Sequence, residues 1–279
     1  MRTYEIGLYE KAMPNDLSLA DKLETARELG YDYLELSIDE TDEKLQRLDW
    51  TTEQIEDLLR ACALRGLPIG SLCLSGHRKY PLGSENEEER SLEIMEKAIR
   101  LAAGLGIRVI QLAGYDVYYE ESDTATKSRF LENLKAAAVM AARSGILLGF
   151  ETMETPFMDT VWKSMFYVQA VNSPYLGIYP DTGNLTNAAV LYGTDPVLDL
   201  ESGHGHIVAL HLKETIPGHY REIPFGTGHV DFDSMIAAAW KLGVRRYVTE
   251  MWYVGQEDWK QDIKKARSMM SAILDRQIP

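Results

Sequence analysis

Cysteine is nearly absent: the 279 residues hold two, Cys62 and Cys73. They fall on a predicted helix and on the strand after it, a spacing that describes no disulfide framework, so both read as reduced and buried thiols. No run of about 18 apolar residues occurs, so no membrane-spanning helix is expected. The first residues, Met1-Arg2-Thr3-Tyr4-Glu5, lack the apolar core of a secretion signal, and the cytoplasm is the expected compartment. Basic charge is also short, with 29 Lys and Arg against 43 Asp and Glu and a net charge of -14. A surface of that sign repels nucleic-acid backbones and anionic membranes, so neither is an expected partner. A small anionic substrate is still allowed, because a bound metal and a few local cations reverse the field inside one cleft. No G-x-G-x-x-G follows the first strand, which argues against a doubly wound dinucleotide-binding sheet.

What the chain does have is alternation. Short β-branched or aromatic runs are each followed by a loop and an amphipathic helical pattern, eight times, at about 35 residues per unit, as a (β/α)8 barrel requires. The predicted strands are Tyr4 to Tyr9, Tyr33 to Ser37, Pro68 to Leu74, Val109 to Leu112, Leu147 to Glu151, Leu176 to Tyr179, Ile207 to Leu212 and Tyr247 to Glu250. We therefore expect an α/β fold, one TIM barrel domain spanning 1–279. Thr51 with Gln54, and Ser84 with Glu87, have capping-box spacing and predict helix starts. Glu85, Glu87, Glu88 and Glu89 are then expected in a first helical turn, where their charge complements the helix dipole. Gly30, Gly66, Gly106, Gly145 and Gly243 predict helix ends.

Four consecutive predicted strands end in a residue able to bind a metal: Glu151, Asp181, His211 and Glu250. In a closed parallel barrel the C-terminal strand ends surround one mouth, so these side chains can converge although they are distant in sequence. Three carboxylates in so small a volume repel one another unless one takes up a proton or a cation intervenes. A donor set of three oxygens and one imidazole nitrogen suits one divalent metal ion, with Zn2+ or Mn2+ foremost and Co2+ or Mg2+ also compatible.

With those residues in place, a family resemblance follows. Leu72-Cys73-Leu74-Ser75-Gly76-His77-Arg78, Tyr179-Pro180-Asp181-Thr182-Gly183-Asn184-Leu185, Pro224-Phe225-Gly226-Thr227-Gly228 and Glu250-Met251-Trp252, with further blocks at 7–12, 37–42, 81–84, 108–119 and 205–211, span nearly the whole chain. Together they resemble the L-xylulose-5-phosphate (L-ribulose-5-phosphate) 3-epimerases of the L-ascorbate utilisation type, a branch of the xylose-isomerase-like barrels. The resemblance implies an isomerase, a carbohydrate-phosphate 3-epimerase interconverting the two ketopentose phosphates, and a homodimer. Its metal quartet maps onto the same four residues. Inverting C3 requires removal of a proton beside a carbonyl and its return to the opposite face, so the enediolate calls for a Lewis acid gripping O2 and O3. Glu151 and Glu250 are the expected acid and base.

Related barrels acting on free ketoses tend to carry His three residues after the metal Asp and Arg six residues after the metal His. Here those places hold Asn184 and Pro217, which argues against one alternative, a free-ketose 3-epimerase, and leaves a sugar isomerase as the other. Lys213 or Arg221 is then the expected substitute for polarising the carbonyl, and Asn184 is expected to orient hydroxyls. For the phosphate, the candidates are Lys11 after the first strand, Ser75, His77 and Arg78 after the third, and Lys213 after the seventh. The backbone N–H groups of Gly226 and Gly228 are a further possibility. Tyr9, Tyr115, Tyr118, Tyr119, Trp252 and Tyr253 fall near predicted strand ends, and some of them are expected to wall the pocket.

Overall fold

The computed structural model describes residues 3–278. Eight parallel strands lie side by side: β1 Glu5–Tyr9, β2 Tyr33–Ile38, β3 Ile69–Leu74, β4 Val109–Ala113, β5 Leu147–Glu151, β6 Leu176–Tyr179, β7 Leu210–Leu212 and β8 Arg246–Thr249. Their order, β6-β5-β4-β3-β2-β1-β8-β7, wraps the sheet until its two edges meet. At that seam the chain is tied by single bridges, Ile178 to Ile207 and Asp181 to His211, so the barrel is nearly closed. The helices are α1 Leu19–Glu28, α2 Asp42–Leu45, α3 Thr52–Arg65, α4 Glu88–Leu105, α5 Thr124–Ser144, α6 Val161–Val171, α7 Thr182–Tyr192, α8 Pro196–Glu201, α9 Phe232–Lys241 and α10 Trp259–Asp275. This is the TIM barrel expected from the alternation of patterns.

Two apolar layers hold it. Outward strand residues such as Leu34, Leu36, Leu72 and Leu148 join the inner faces of the helices in one large buried cluster. Each such side chain contributes about 1.5–3 kcal/mol through its burial. Inward residues, among them Tyr9, Tyr33, Tyr179 and Val248, form a second, smaller cluster along the barrel axis. Tyr33 plugs that interior and donates from its hydroxyl to the Tyr247 carbonyl at 2.9 Å. Gly7 and Gly70 flank its ring, and a Cβ on either would collide with it. Above this plug the inward positions turn polar, and the functional groups begin there.

The capping box predicted at Thr51 and Gln54 is present, and Gly66, Gly106 and Gly145 end their helices with positive φ. Ser84 does not cap. It is fully buried, its hydroxyl makes no hydrogen bond, and α4 starts only at Glu88 with no side-chain cap at Glu87. Glu88 and Glu89 therefore lie in the first turn, and Glu85 and Glu87 precede it.

Candidate active site

At the C-terminal mouth of the barrel, Glu151 ends β5, Asp181 follows β6, His211 is the middle residue of β7 and Glu250 follows β8. One ligand-type atom from each lies within 4.8 Å of every other, and all four residues are buried. Local structure holds each in place. Asp181 is the N-cap of α7, with Oδ1 accepting from the Asn184 N–H at 2.6 Å. Its own N–H donates to Thr152 Oγ1 at 3.0 Å. Glu151 Oε2 accepts from the Gln111 side-chain amide on β4. His211 turns Nδ1 toward the carboxylates, 3.4 Å from both Glu151 Oε1 and Glu250 Oε2. Its Nε2 points the other way, 2.7 Å from Glu35 Oε1 on β2.

Lys213, next on the chain after β7, is buried beside this cluster with Nζ 3.2 Å from Asp181 Oδ1 and 3.4 Å from Glu250 Oε2. The charges sort accordingly. Burial and the charges of Glu250 and Glu151 push Asp181 up to about 8, although Lys213 opposes them. Burial and Glu250 likewise raise Glu151. For Glu250 burial works the same way, but Lys213 and His211 outweigh it and hold this carboxyl well below its usual range. Burial disfavours the imidazolium of His211, yet Glu35, Glu250 and Glu151 together keep its pKa well above normal. Carboxyl groups this close cannot all ionise on their own.

A divalent cation fits this donor set. Asp181 Oδ2 and Glu250 Oε2 are buried and neither receives a hydrogen bond. Unsatisfied buried carboxylate oxygens are costly, and a cation at their meeting point would satisfy both.

Beyond the cluster the pocket is lined by Tyr9, Lys11, Ser75, Arg78, Asn184, Lys213, Arg221 and Trp252, with Cys73 and Glu154. Lys11 is ion-paired with Asp39. The Arg78 guanidinium lies 5.0 Å from the ring centre of Tyr118 and 5.9 Å from that of Tyr115, and its Nε is buried without a hydrogen bond. Arg221 sits nearer the rim, 3.3 Å from Glu154 Oε1 and 5.8 Å from the Trp252 ring. Asn184 donates from Nδ2 to the Thr152 carbonyl at 2.6 Å and leaves Oδ1 without a partner.

Two expectations need correction. His77 does not reach the pocket: residues 75–78 form a 3₁₀ turn, in which Ser75 and Arg78 share one face and His77 points elsewhere. Its ring is buried against α4, with Nε2 3.1 Å from the Ser91 carbonyl. The N–H of Gly226 is already bound, donating to Glu214 Oε2 at 3.0 Å, and Gly228 packs tightly on Glu214 and Thr215. These glycines serve loop packing, not anion binding. Of the aromatic residues, Tyr9 and Trp252 line the pocket as expected of some of them, whereas Tyr119 is 66% exposed and its hydroxyl reaches Glu40.

Two buried polar residues beside the quartet, Glu35 and Gln111, escaped the sequence reading. Their signal was present, since each is a large polar side chain in the middle of a short, mostly apolar strand.

A xylose isomerase-like TIM barrel model matches residues 23–273. The L-ribulose-5-phosphate 3-epimerase UlaE of Escherichia coli O139:H28 (strain E24377A / ETEC) is 43% identical over 270 residues, covering 96% of this chain and 94% of that protein. The protein of the same name from Escherichia fergusonii shows the same identity and coverage. Among solved structures, an L-ribulose 3-epimerase superposes with a TM-score of 0.80 at 19% identity, over 98% of this chain and 95% of that one. D-psicose 3-epimerase from Clostridium cellulolyticum H10, with D-tagatose, gives 0.82 at 14% identity over 97% and 99%. At such identities the structures attest the fold; the family rests on the sequence matches, by which this chain belongs to the xylose isomerase-like TIM barrels and, among them, to the L-ribulose-5-phosphate 3-epimerase family.

Proposed function

We propose that this chain is a cytoplasmic, metal-dependent 3-epimerase that interconverts L-ribulose 5-phosphate and L-xylulose 5-phosphate. The observation that carries the reading is the convergence of Glu151, Asp181, His211 and Glu250 beside a pocket wall supplied with Lys11, Arg78, Lys213 and Arg221. Lys11, Lys213 and Arg221 are paired with carboxylates, so Arg78, whose Nε has no partner, together with a bound cation would supply the positive field that suits an anionic sugar. The relatives' names fit the same substrate.

Glu151, Asp181, His211 and Glu250 would hold one divalent cation, Zn2+ or Mn2+ before Co2+ or Mg2+. When bound, that ion supplies Lewis acidity next to the carbon that loses its proton, a contribution of several kcal/mol in sites of this kind. The chain's own residues do the rest. Glu151 and Glu250 come from β5 and β8, with β6 and β7 between them. One carboxylate takes the C3 proton and the other returns one to the opposite face, and the roles exchange with direction. Lys213, charged and buried, is placed to stabilise negative charge on the substrate's oxygens. Ser75, Arg78 and Lys11 form the phosphate end, with Arg221 at the rim. Asn184 offers its free Oδ1 to a hydroxyl.

We further propose that the enzyme is a homodimer of single-domain chains, with the apolar face of α6 to α8 as the contact. Trp162, Phe166, Leu191 and Leu198 are each more than 60% exposed there. Such a contiguous apolar patch marks an interaction surface.

The test of the reaction is proton NMR of L-xylulose 5-phosphate with the metal-loaded enzyme in D2O. The expected result is deuterium at C3 and none at C1. Label at C1 would make the enzyme an aldose-ketose isomerase, and equal turnover of unphosphorylated L-xylulose would make it a free-ketose epimerase.

A further inference from the structure

We propose that Glu35 is a positioning residue that fixes His211 in the tautomer the metal centre requires; the inference rests on the reading that the quartet holds a cation. Glu35 is on β2, in the barrel layer directly above the Tyr33 plug, and is wholly buried. Its carboxylate is gripped from three sides. Oε2 accepts from Ser71 Oγ at 2.6 Å and from the Tyr179 hydroxyl at 3.1 Å. Oε1 lies 2.7 Å from His211 Nε2. A carboxylate only accepts, so Nε2 carries a proton; in the neutral ring that a bound cation would require, the lone pair is then on Nδ1. Nδ1 is the nitrogen facing Glu151 and Glu250. The other tautomer would aim an N–H at the cation site and set a lone pair against Glu35, and a ring flipped about Cβ–Cγ would put the Cδ2 carbon where Nδ1 stands.

The backbone is built to make this contact. Between β2 and β3 the register slips by one residue, Leu34 pairing with Ile69 but Glu35 with Ser71. The extra residue is Gly70, whose missing Cβ leaves room for the Tyr33 ring. Without the slip Gly70 would stand opposite Glu35, and Ser71 would move off it. Bulges of this kind re-aim side chains next to functional sites. A buried carboxylate on the barrel axis is expensive to keep, and the Ser71 and Tyr179 hydroxyls that donate to it need an acceptor but no charge. A partner that orients a metal-binding imidazole and raises its basicity accounts for its presence.

The test compares full-length wild type with Glu35→Ala and Glu35→Gln, stripped of metal and titrated with Zn2+ against a chromophoric chelator. Zn2+ affinity should fall roughly 10–100-fold in Glu35→Ala and about tenfold in Glu35→Gln, which keeps an acceptor but loses the charge. Long-range 1H–15N correlation spectra of the zinc-loaded proteins should place the His211 proton on Nε2 in wild type and lose that cross-peak in Glu35→Ala. Wild-type affinity in both variants, with lowered melting temperature alone, would overturn the proposal and leave Glu35 a packing residue. Should Glu35→Ala not fold, unchanged Zn2+ affinity in Glu35→Gln is the overturning result. Wild type that binds no Zn2+ or Mn2+ at all removes the metal reading itself, and this inference with it.

Discussion

Glu151 and Glu250 are equally buried but differently surrounded. Glu151 faces the uncharged amide of Gln111, and burial with the charge of Glu250 raises its pKa. Glu250 faces Lys213, which with His211 keeps it ionised. In the metal-free cluster these surroundings set the two carboxyl groups apart, and both stand where a proton could be taken or returned. Replacing Glu151 by Gln keeps the shape and one oxygen but removes the proton transfer, so turnover should fall by at least about 10²-fold while Zn2+ affinity changes far less. Steady-state rates and chelator competition on the same preparation check this, and unchanged turnover would refute the acid/base assignment. Arg78 tests the phosphate end. Its guanidinium rests on Tyr118 and its Nε has no partner, so a phosphate oxygen would complete its hydrogen bonding. Arg78→Met should raise KM for L-xylulose 5-phosphate by about 10-fold or more, the loss of a charged hydrogen bond of 1.5–3 kcal/mol order, and leave KM for free L-xylulose unchanged. A matching rise for both sugars would move the phosphate elsewhere.

Between β3 and α4, burial pushes His77 down to about 4, its bond to the Ser91 carbonyl only partly opposing this. The unfolded chain takes up that proton near its ordinary 6.5 and the folded one does not, so stability from this junction is intact above about pH 6.5 and lost as pH falls toward 4. Below pH 4 both states are protonated and the loss stops growing. By pH 5 it amounts to about 2 kcal/mol. His77→Gln, which retains a donor for Ser91 and does not titrate, should therefore be flatter than wild type in urea unfolding between pH 7 and pH 5; parallel curves would show that the ring is not buried neutral. The same junction shows what could be read in advance. Strand centres were legible because β-branched and aromatic runs bounded by glycine have few alternatives, and β5 and β6 start and end where expected. Ile207 to Ala209 looked equally strand-like, but Ile207 and Val208 lie beside the seam, where the chain bonds Ile178 from His206 and Val208 without continuing a ladder. The mouth quartet was legible because the barrel repeat carries strand ends to one place. Face was not: His77 and Arg78 are neighbours in sequence, and only the 3₁₀ turn decides which of them meets the pocket. Glu35 was missed for a similar reason, since its partners come from β3, β6 and β7.

At the scale of the whole molecule, exposed large apolar side chains gather on α6 to α8. The protein carries a net charge of -14, which opposes self-association, so a contact between copies needs an apolar face large enough to outweigh it. α6 to α8 provide one. Asp199 on α8 accepts from the N–H groups of Val161 and Trp162 at 2.9 and 3.1 Å, which locks the start of α6 onto α8 and fixes Trp162 as a projecting ridge. Grooves of ≈470 and ≈570 Å³ lie on either side of it, one bordered by Phe157, Met165 and Phe166 and the other by Tyr192 and Leu198. A ridge beside a groove is self-complementary under a two-fold axis, each Trp162 entering the other copy's groove, and a central buried Trp is the usual energetic anchor of such contacts. Trp162→Glu places a charge at that anchor without touching the quartet. Light scattering should then give twice the chain mass for wild type and the single chain mass for the variant at micromolar concentration. Catalysis should persist, since the ligand-type residues all come from strands of one chain. A wild type of single chain mass, or a variant that stays dimeric, would assign this apolar face to something other than a second copy.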